Sequence, residues 1–337
     1  MHRHLPAIPL SAALLGIVLA SGCAGPAPAD RTDPCAPMSA AEVYRQCKDS
    51  TVTLGFARKD AADPKTTHTE FGTGIIIHEA GYILANAHIL RHGGTGAAGI
   101  AGRDVPCRVV AVDNKRDLAI FKADTGRPLR PIRLGYSRDL TVGEPIVTIG
   151  SPFGMGISVT VGVVSALGRS TKSDFTFFPD MIQTSTPINP GTSGGPLLNM
   201  RGELVGVNTT RKSEANDIGF AIPVDRVREA LPEMLDPEGR GGFRLGLKVA
   251  TDGPATVTAV AADSPAAAAG VRPGDVVLGV GREIVIGGLD FYFALLDVRG
   301  GEPLALRLLR GGRLLDVTLT PAKTDPKPPA KAGGERK

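Results

Sequence analysis

Between residues 51 and 207 the chain is cut into short apolar or alternating runs: "TVTLGFA", "GTGIIIH", "GYILANAHIL", "CRVVAV", "DLAIFKA", "PIVTIG", "SVTVGVVSAL" and "GELVGVN". Gly, Pro, Asp and Asn separate them. Runs this short cannot build helices of ordinary length, and their spacing predicts an all-β barrel or sandwich. Helical periodicity enters only at 223–235, where Pro opens "VDRVREALPEML". The string "DPEGRGGF" (236–243) reads as a linker. A second compact unit is expected over 244–321. Its strands are "TVTAVA", "DVVLGVG", "LALRLLR" and "LLDVTLT", and its helices are expected at 265–270 and 288–298. Residues 322–337 lack apolar content and read as a disordered tail. A chain of 337 residues accommodates two such units. Its 43 Gly and 27 Pro are spread without a repeat, which fits turns and excludes a collagen-like period. A formal charge of +4, scattered along the chain, gives no footprint for nucleic acid.

The N-terminus reads as a targeting segment. Arg3 precedes an apolar run over 5–20, shorter than a membrane span of about 20 residues. Residues 1–22 are therefore expected to be a secretory signal. The run ends in "LASGC", which resembles the lipobox of bacterial lipoproteins and implies lipidation at Cys23. Ordinary cleavage near Ala24 or Ala27, with Cys23 incidental, is the alternative. Small residues and prolines over 23–37 would form the tether. Export permits disulfides. Cys35 and Cys47 flank a helical stretch at 39–46 and form the expected pair, while Cys107 in a strand pattern reads as a buried free thiol. No C-x-x-C occurs, so no metal site is expected from the cysteines.

The string "NPGTSGGPL" (189–197) places Ser193 among small and turn-forming residues. It also matches G-x-S-x-G, the nucleophile elbow of α/β-hydrolases. A serine hydroxyl needs a basic partner, and that base needs an orienting carboxylate. The six histidines stand at 2, 4, 68, 78, 88 and 92, all before the serine. The hydrolase order of Ser, acid, His is thus impossible, and a strand rather than a helix follows Ser193. The order His, Asp, Ser stays open. His88 ends an apolar strand pattern and Asp117 opens another, with Asp113 as the nearby competitor.

Taken together, "GTGIIIHEAGYILANAHIL", "RDLAIF", "IQTSTPINPGTSGGPLLNMRGELVGVNT" and "IGFAIPVDRV" resemble the HtrA/Deg family of exported serine proteases across 50–230. The resemblance implies a two-barrel, chymotrypsin-like domain over 38–235. It implies His88 as general base, Asp117 as orienting acid and Ser193 as nucleophile. The backbone amides of Gly191 and Ser193 would form the oxyanion hole. Ala85 and Thr192 depart mildly from the family pattern without removing a reacting group. No acid lies in 187–192, so Ile188 and nearby apolar residues imply an aliphatic P1 side chain. Arg211 and Lys212 put the finer specificity in doubt.

"RLGLKV" (244–249) and "SPAAAAGVRPGDVVLGVG" (264–281) resemble a PDZ domain of the circularly permuted bacterial type. That resemblance assigns Leu245, Gly246 and Leu247 to the loop that captures a peptide's terminal carboxylate. The expected protein is a mostly β, ATP-independent serine endopeptidase of the cell envelope, without a cofactor. Its partners would be unfolded proteins and C-terminal peptides, its membrane contact a lipid anchor, and its assembly a homotrimer. A peptide-binding scaffold with an idle protease site is the alternative.

Overall fold

A computed structural model describes residues 36–59, 67–90, 95–172, 177–211 and 218–327. Strands β1 (Thr51–Lys59), β2 (Thr67–His78), β3 (Tyr82–Ala85), β4 (Thr95–Ile100), β5 (Arg103–Asp113) and β6 (Leu118–Ala123) close into an antiparallel barrel. Its strand order is β1-β2-β3-β6-β5-β4, with β4 pairing back to β1. Alternate side chains serve two cores. Leu54, Ile76, Ile83 and Phe121 fill the barrel. Ile75, Leu84, Leu118 and Ile120 face outward into a second core that holds helix α2 (Val224–Leu235) and residues of the next barrel. Strands buried on both faces carry unbroken apolar runs, which is why "LAIF" does not alternate.

The second barrel uses β7 (Arg133–Leu134), β8 (Pro145–Gly150), β9 (Ser158–Lys172), β10 (Phe177–Thr184), β11 (Pro196–Leu198), β12 (Glu203–Arg211) and β13 (Gly219–Pro223). The order β11-β8-β9-β10-β13-β12 closes because β11 also pairs with β12. Strand β7 adds to β12 in parallel. Helix α1 (Ala40–Cys47) precedes the first barrel and starts in a capping box between Ser39 and Glu42. Two barrels meet the expectation from the family resemblance, where the short runs alone left barrel and sandwich open.

The segment read as a linker contains a short helix, α3 (Pro237–Gly241), with Asp236 accepting from the Gly239 amide at 3.2 Å. The expected tail is ordered as far as residue 327. Strand β21 (Ala322–Lys323) pairs with β14 (Phe243–Arg244). The Thr324 and Lys327 amides donate to the carbonyls of Gly242 and Gly239. Backbone bonds hold this segment, so its polar composition misleads. Residues 328–337 lie outside the described residues.

The second unit comprises β15 (Leu247–Val249), β16 (Val257–Val260), α4 (Pro265–Ala268), β17 (Val276–Val280), β18 (Glu283–Ile284), α5 (Gly288–Ala294), β19 (Leu304–Arg310) and β20 (Arg313–Leu319). Strands β15 and β16 pair, and the remaining four run in the order β18-β17-β19-β20. The Asp275 carboxyl is buried and held below its ordinary range by the Arg310 guanidinium, which contacts it at 2.6 Å. Residues from Pro37 onward form one unit by contacts. His78 of β2 stacks on Phe293 of α5 at 4.9 Å, and Arg138 pairs with Asp252. Tyr136 lies between the guanidiniums of Arg138 and Arg228. No helix among the described residues is long and apolar enough to cross a membrane.

Cys47 is a free thiol in the structure, buried, with its Sγ donating to the Gly202 carbonyl at 3.4 Å. Burial pushes its pKa up to about 11. The expected Cys35–Cys47 bridge is therefore not formed at Cys47, whose sulfur faces the turn at Gly202. Cys35 lies outside the described residues. Cys107 is free as expected but only half-buried, and burial also raises its pKa to about 11.

Candidate active site

Strand β3 ends at Ala85, and a single turn of 3-10 helix over Ala87–Leu90 carries His88. Asp117 occupies the turn just before β6 with φ of 57°, a left-handed conformation that Asp tolerates better than most residues. The distorted turn is secured from the His88 side. The Ala87 amide and Asn86 Nδ2 both donate to the Asp117 carbonyl, at 3.2 and 3.0 Å. The Asp117 carboxylate then meets His88 three times. Oδ1 accepts from the His88 amide at 2.9 Å, and Nδ1 lies 2.8 Å from Oδ2 and 3.1 Å from Oδ1. A carboxylate at Nδ1 fixes the proton there, which leaves Nε2 as the basic nitrogen. Asp113, the competitor, turns away and pairs with Arg116 at 2.6 Å.

Ser193 comes from the second barrel, in the loop between β10 and β11. Its hydroxyl donates to the Thr209 carbonyl at 2.9 Å. The side chain of the same Thr209 donates to Asp117 Oδ2 at 2.6 Å. One threonine on β12 therefore ties together the loops of Ser193 and Asp117. The first barrel returns the contact through Thr73 of β2, which is fully buried. The Thr73 amide donates to the Ser193 carbonyl at 2.9 Å. Its Oγ1 donates to the Gly191 carbonyl at 2.7 Å and accepts from the Ser151 amide at 3.0 Å.

Two glycines of this loop have a conformational reason. Gly191 has φ of 93°, and a Cβ there would sit 2.4 Å from the Ser151 carbonyl oxygen. Gly194 has φ of 86°, and its Cβ would sit 2.2 Å from the Thr73 carbonyl oxygen. The Phe153 amide donates to the Pro190 carbonyl at 2.9 Å, which orients the Pro190–Gly191 peptide. Among the described residues no protein acceptor takes the amide of Gly191 or of Ser193.

Ile188 is 5% exposed and packs on Gly219, where a Cβ would meet its Cδ1 at 2.8 Å. Beneath it runs a buried hydroxyl chain: Thr186 lies 3.0 Å from Thr184 and 3.1 Å from Thr148. Arg211 ends β12, and Lys212 lies outside the described residues, as do His92 and Cys23. His68 lies within β2 and His78 ends it. His78 forms the stack on Phe293, away from the serine. Leu245, Gly246 and Leu247 sit together at the start of β15, far along the chain from the triad. A cleft of about 1120 Å³ opens between the first barrel and the second unit, lined by Lys122, Arg127, Arg228, Asp290 and Phe293 among others. None of His88, Asp117 and Ser193 lines it. Among the described residues no cluster of three His, Cys, Asp or Glu could hold a metal ion.

Thr73 and Thr209 were not legible as site residues. Both sit in short strings of small residues, "FGTG" and "GVNT", where a threonine carries no chemical signature. Their only signal is proximity in sequence to strand ends that meet the catalytic loops.

Residues 72–207 match the trypsin-like peptidase domain family, and residues 256–310 match the PDZ domain family. The "Probable periplasmic serine endoprotease DegP-like" of Pseudomonas putida (strain W619) is 35% identical over 282 residues. That match covers 78% of this chain and 58% of the relative, so the chain spans little more than half the length of that protein. A protein of the same description from Halomonas elongata is 35% identical over 270 residues, covering 74% of this chain and 56% of its own length. Among solved structures, the HtrA-type protease AlgW with decapeptide aligns at a TM-score of 0.52 with 26% identity, covering 86% of this chain and 100% of that one. The serine endoprotease from Yersinia pestis aligns at a TM-score of 0.50 with 29% identity, covering 86% and 100%.

Proposed function

We propose that the chain is a serine endoprotease of the HtrA/Deg family, a trypsin-like domain followed by a PDZ domain, which cleaves unfolded proteins through His88, Asp117 and Ser193. The Ser193 hydroxyl attacks the peptide carbonyl as His88 Nε2 takes its proton. Asp117 keeps the imidazole in the required tautomer and stabilises the imidazolium. The tetrahedral oxyanion is met by the amides of Gly191 and Ser193. His88 then returns the proton to the leaving amine, and water hydrolyses the acyl-enzyme by the same route in reverse. The observation that carries this reading is the Asp117 carboxylate. It holds His88 Nδ1 at 2.8 Å and is itself held by Thr209, the residue on which Ser193 rests.

Ser193 donates to Thr209 rather than to His88. The hydroxyl must leave Thr209 for His88 before it can be deprotonated, so this contact corresponds to a resting site. This same contact favours the second reading, a peptide-binding scaffold whose protease site stays idle.

Buried Ile188 against Gly219 supports a small aliphatic P1 residue. The relatives' names support a periplasmic location. The remaining parts of the proposal are a lipid anchor at Cys23, trimeric assembly, and capture of C-terminal peptides at Leu245, Gly246 and Leu247. The test is β-casein cleavage by the wild type and by Ser193→Ala, each with and without an added C-terminal peptide. Loss of cleavage in the variant alone is expected. Equal rates overturn the protease, and a wild type that never cleaves favours the scaffold.

A further inference from the structure

A peptide added to a sheet edge needs free N–H and C=O groups along one strand, and its carboxylate needs free amides at the strand's start. Strand β15 pairs with β16 on one side only. The Gly246 carbonyl accepts from the Ala261 amide at 2.8 Å, and the Ala250 amide donates to the Thr256 carbonyl at 2.8 Å. Residues 246, 248 and 250 therefore turn their peptide groups toward β16. By the period of two, Leu247 and Val249 turn theirs to the opposite edge. That edge is where a ligand strand would add.

The Val249 position on this edge is occupied. Tyr292 of α5 donates its hydroxyl to the Val249 carbonyl at 2.8 Å and accepts the Val249 amide at 3.2 Å. One side chain thus makes both bonds that a ligand residue would make. The helix is seated firmly in this position. Gly288 comes so close to the chain after β15 that a Cβ would lie 1.7 Å from the Ala250 carbonyl oxygen. The Gly288 amide donates to Gly253 at 3.0 Å, and Asp290 caps the helix start at the Gly287 amide at 2.8 Å.

We propose that the PDZ groove is capped at rest by one of its own side chains, Tyr292 standing in for a ligand's third-from-last residue. The ligand class is a protein C-terminus with a free carboxylate, which must displace it. This inference rests on the reading that the PDZ domain binds C-terminal peptides.

The test is fluorescence anisotropy of the full chain with a labelled decapeptide ending in Leu-Ala-Val, as free acid and as amide. Tyr292→Phe keeps the ring and removes the hydroxyl. The variant is expected to bind the free acid about five- to tenfold more tightly than the wild type, the scale of one or two hydrogen bonds released from competition. The amide is expected to bind more weakly than the free acid to both proteins. Thermal melts on the same samples confirm that the variant is folded. A wild type that binds as tightly as Tyr292→Phe overturns the capped groove while leaving peptide binding intact. Absence of binding in both proteins overturns peptide binding itself, and the capped groove with it.

Discussion

In the catalytic site the amides of Gly191 and Ser193 have no protein acceptor among the described residues, whereas in the PDZ groove the outward peptide groups of Val249 are both taken. In the proposed function the two sites face the same physical demand, because each would hold a ligand by backbone groups. They meet it with opposite resting states. In the protease site the Thr73 hydroxyl holds the Gly191 carbonyl and the Thr209 hydroxyl holds the Asp117 carboxylate, while the Gly191 and Ser193 amides have no protein acceptor among the described residues. The groove edge is capped by Tyr292. The contrast shows that preorganisation and availability are separate properties. A loop clamped on its buried side is rigid and ready, while a strand edge capped on its open side is rigid and unavailable.

The largest break in this contrast is expected at Asp117. Asp117→Asn keeps the shape of the site but favours the wrong His88 tautomer, and kcat for an aliphatic P1 peptide should fall about 10⁴-fold. Steady-state kinetics check it, and peptide affinity at the groove should not change. A loss below tenfold would show that another group orients His88.

Thr73→Val tests the clamp. The substitution keeps the volume and removes one donor and one acceptor from a fully buried position. The Gly191 carbonyl and Ser151 amide lose their partner, so the oxyanion loop loosens. We expect kcat to fall about ten- to a hundredfold, less than the loss of a whole oxyanion donor, with KM nearly unchanged. An unchanged kcat would mean that the loop is held without Thr73. The smallest effect belongs to Tyr292→Phe, where the roughly five- to tenfold gain in peptide affinity is expected.

The barrel architecture was legible because strands buried on both faces must be apolar throughout and short. The order His, Asp, Ser was legible because a serine needs a base and every histidine precedes it, while the choice of His88, and of Asp117 over Asp113, came from the family resemblance. Other features left no pattern to read. Strand β21 is held by its pairing with β14, and the Lys327 amide bonds the Gly239 carbonyl of α3, so polar composition alone suggested a linker over 236–243 and disorder from 322. Thr73 and Thr209 act through single hydroxyls in strings of small residues. The cysteine pairing assumed that neighbours in sequence meet, but the Cys47 thiol packs against Gly202, which is distant in sequence. Tyr292 carries no mark in sequence of a cap, because its role depends on the register that turns Val249 outward.

The central claim is that Ser193 is a nucleophile activated by His88 and Asp117. The most direct measurement is intact mass spectrometry after treatment with a fluorophosphonate, with the modified peptide mapped. The account predicts a single phosphonyl adduct on Ser193 in the wild type, lost in Ser193→Ala and formed far more slowly in Asp117→Asn. An adduct on another residue, or none on Ser193 even with a C-terminal peptide present, would contradict it.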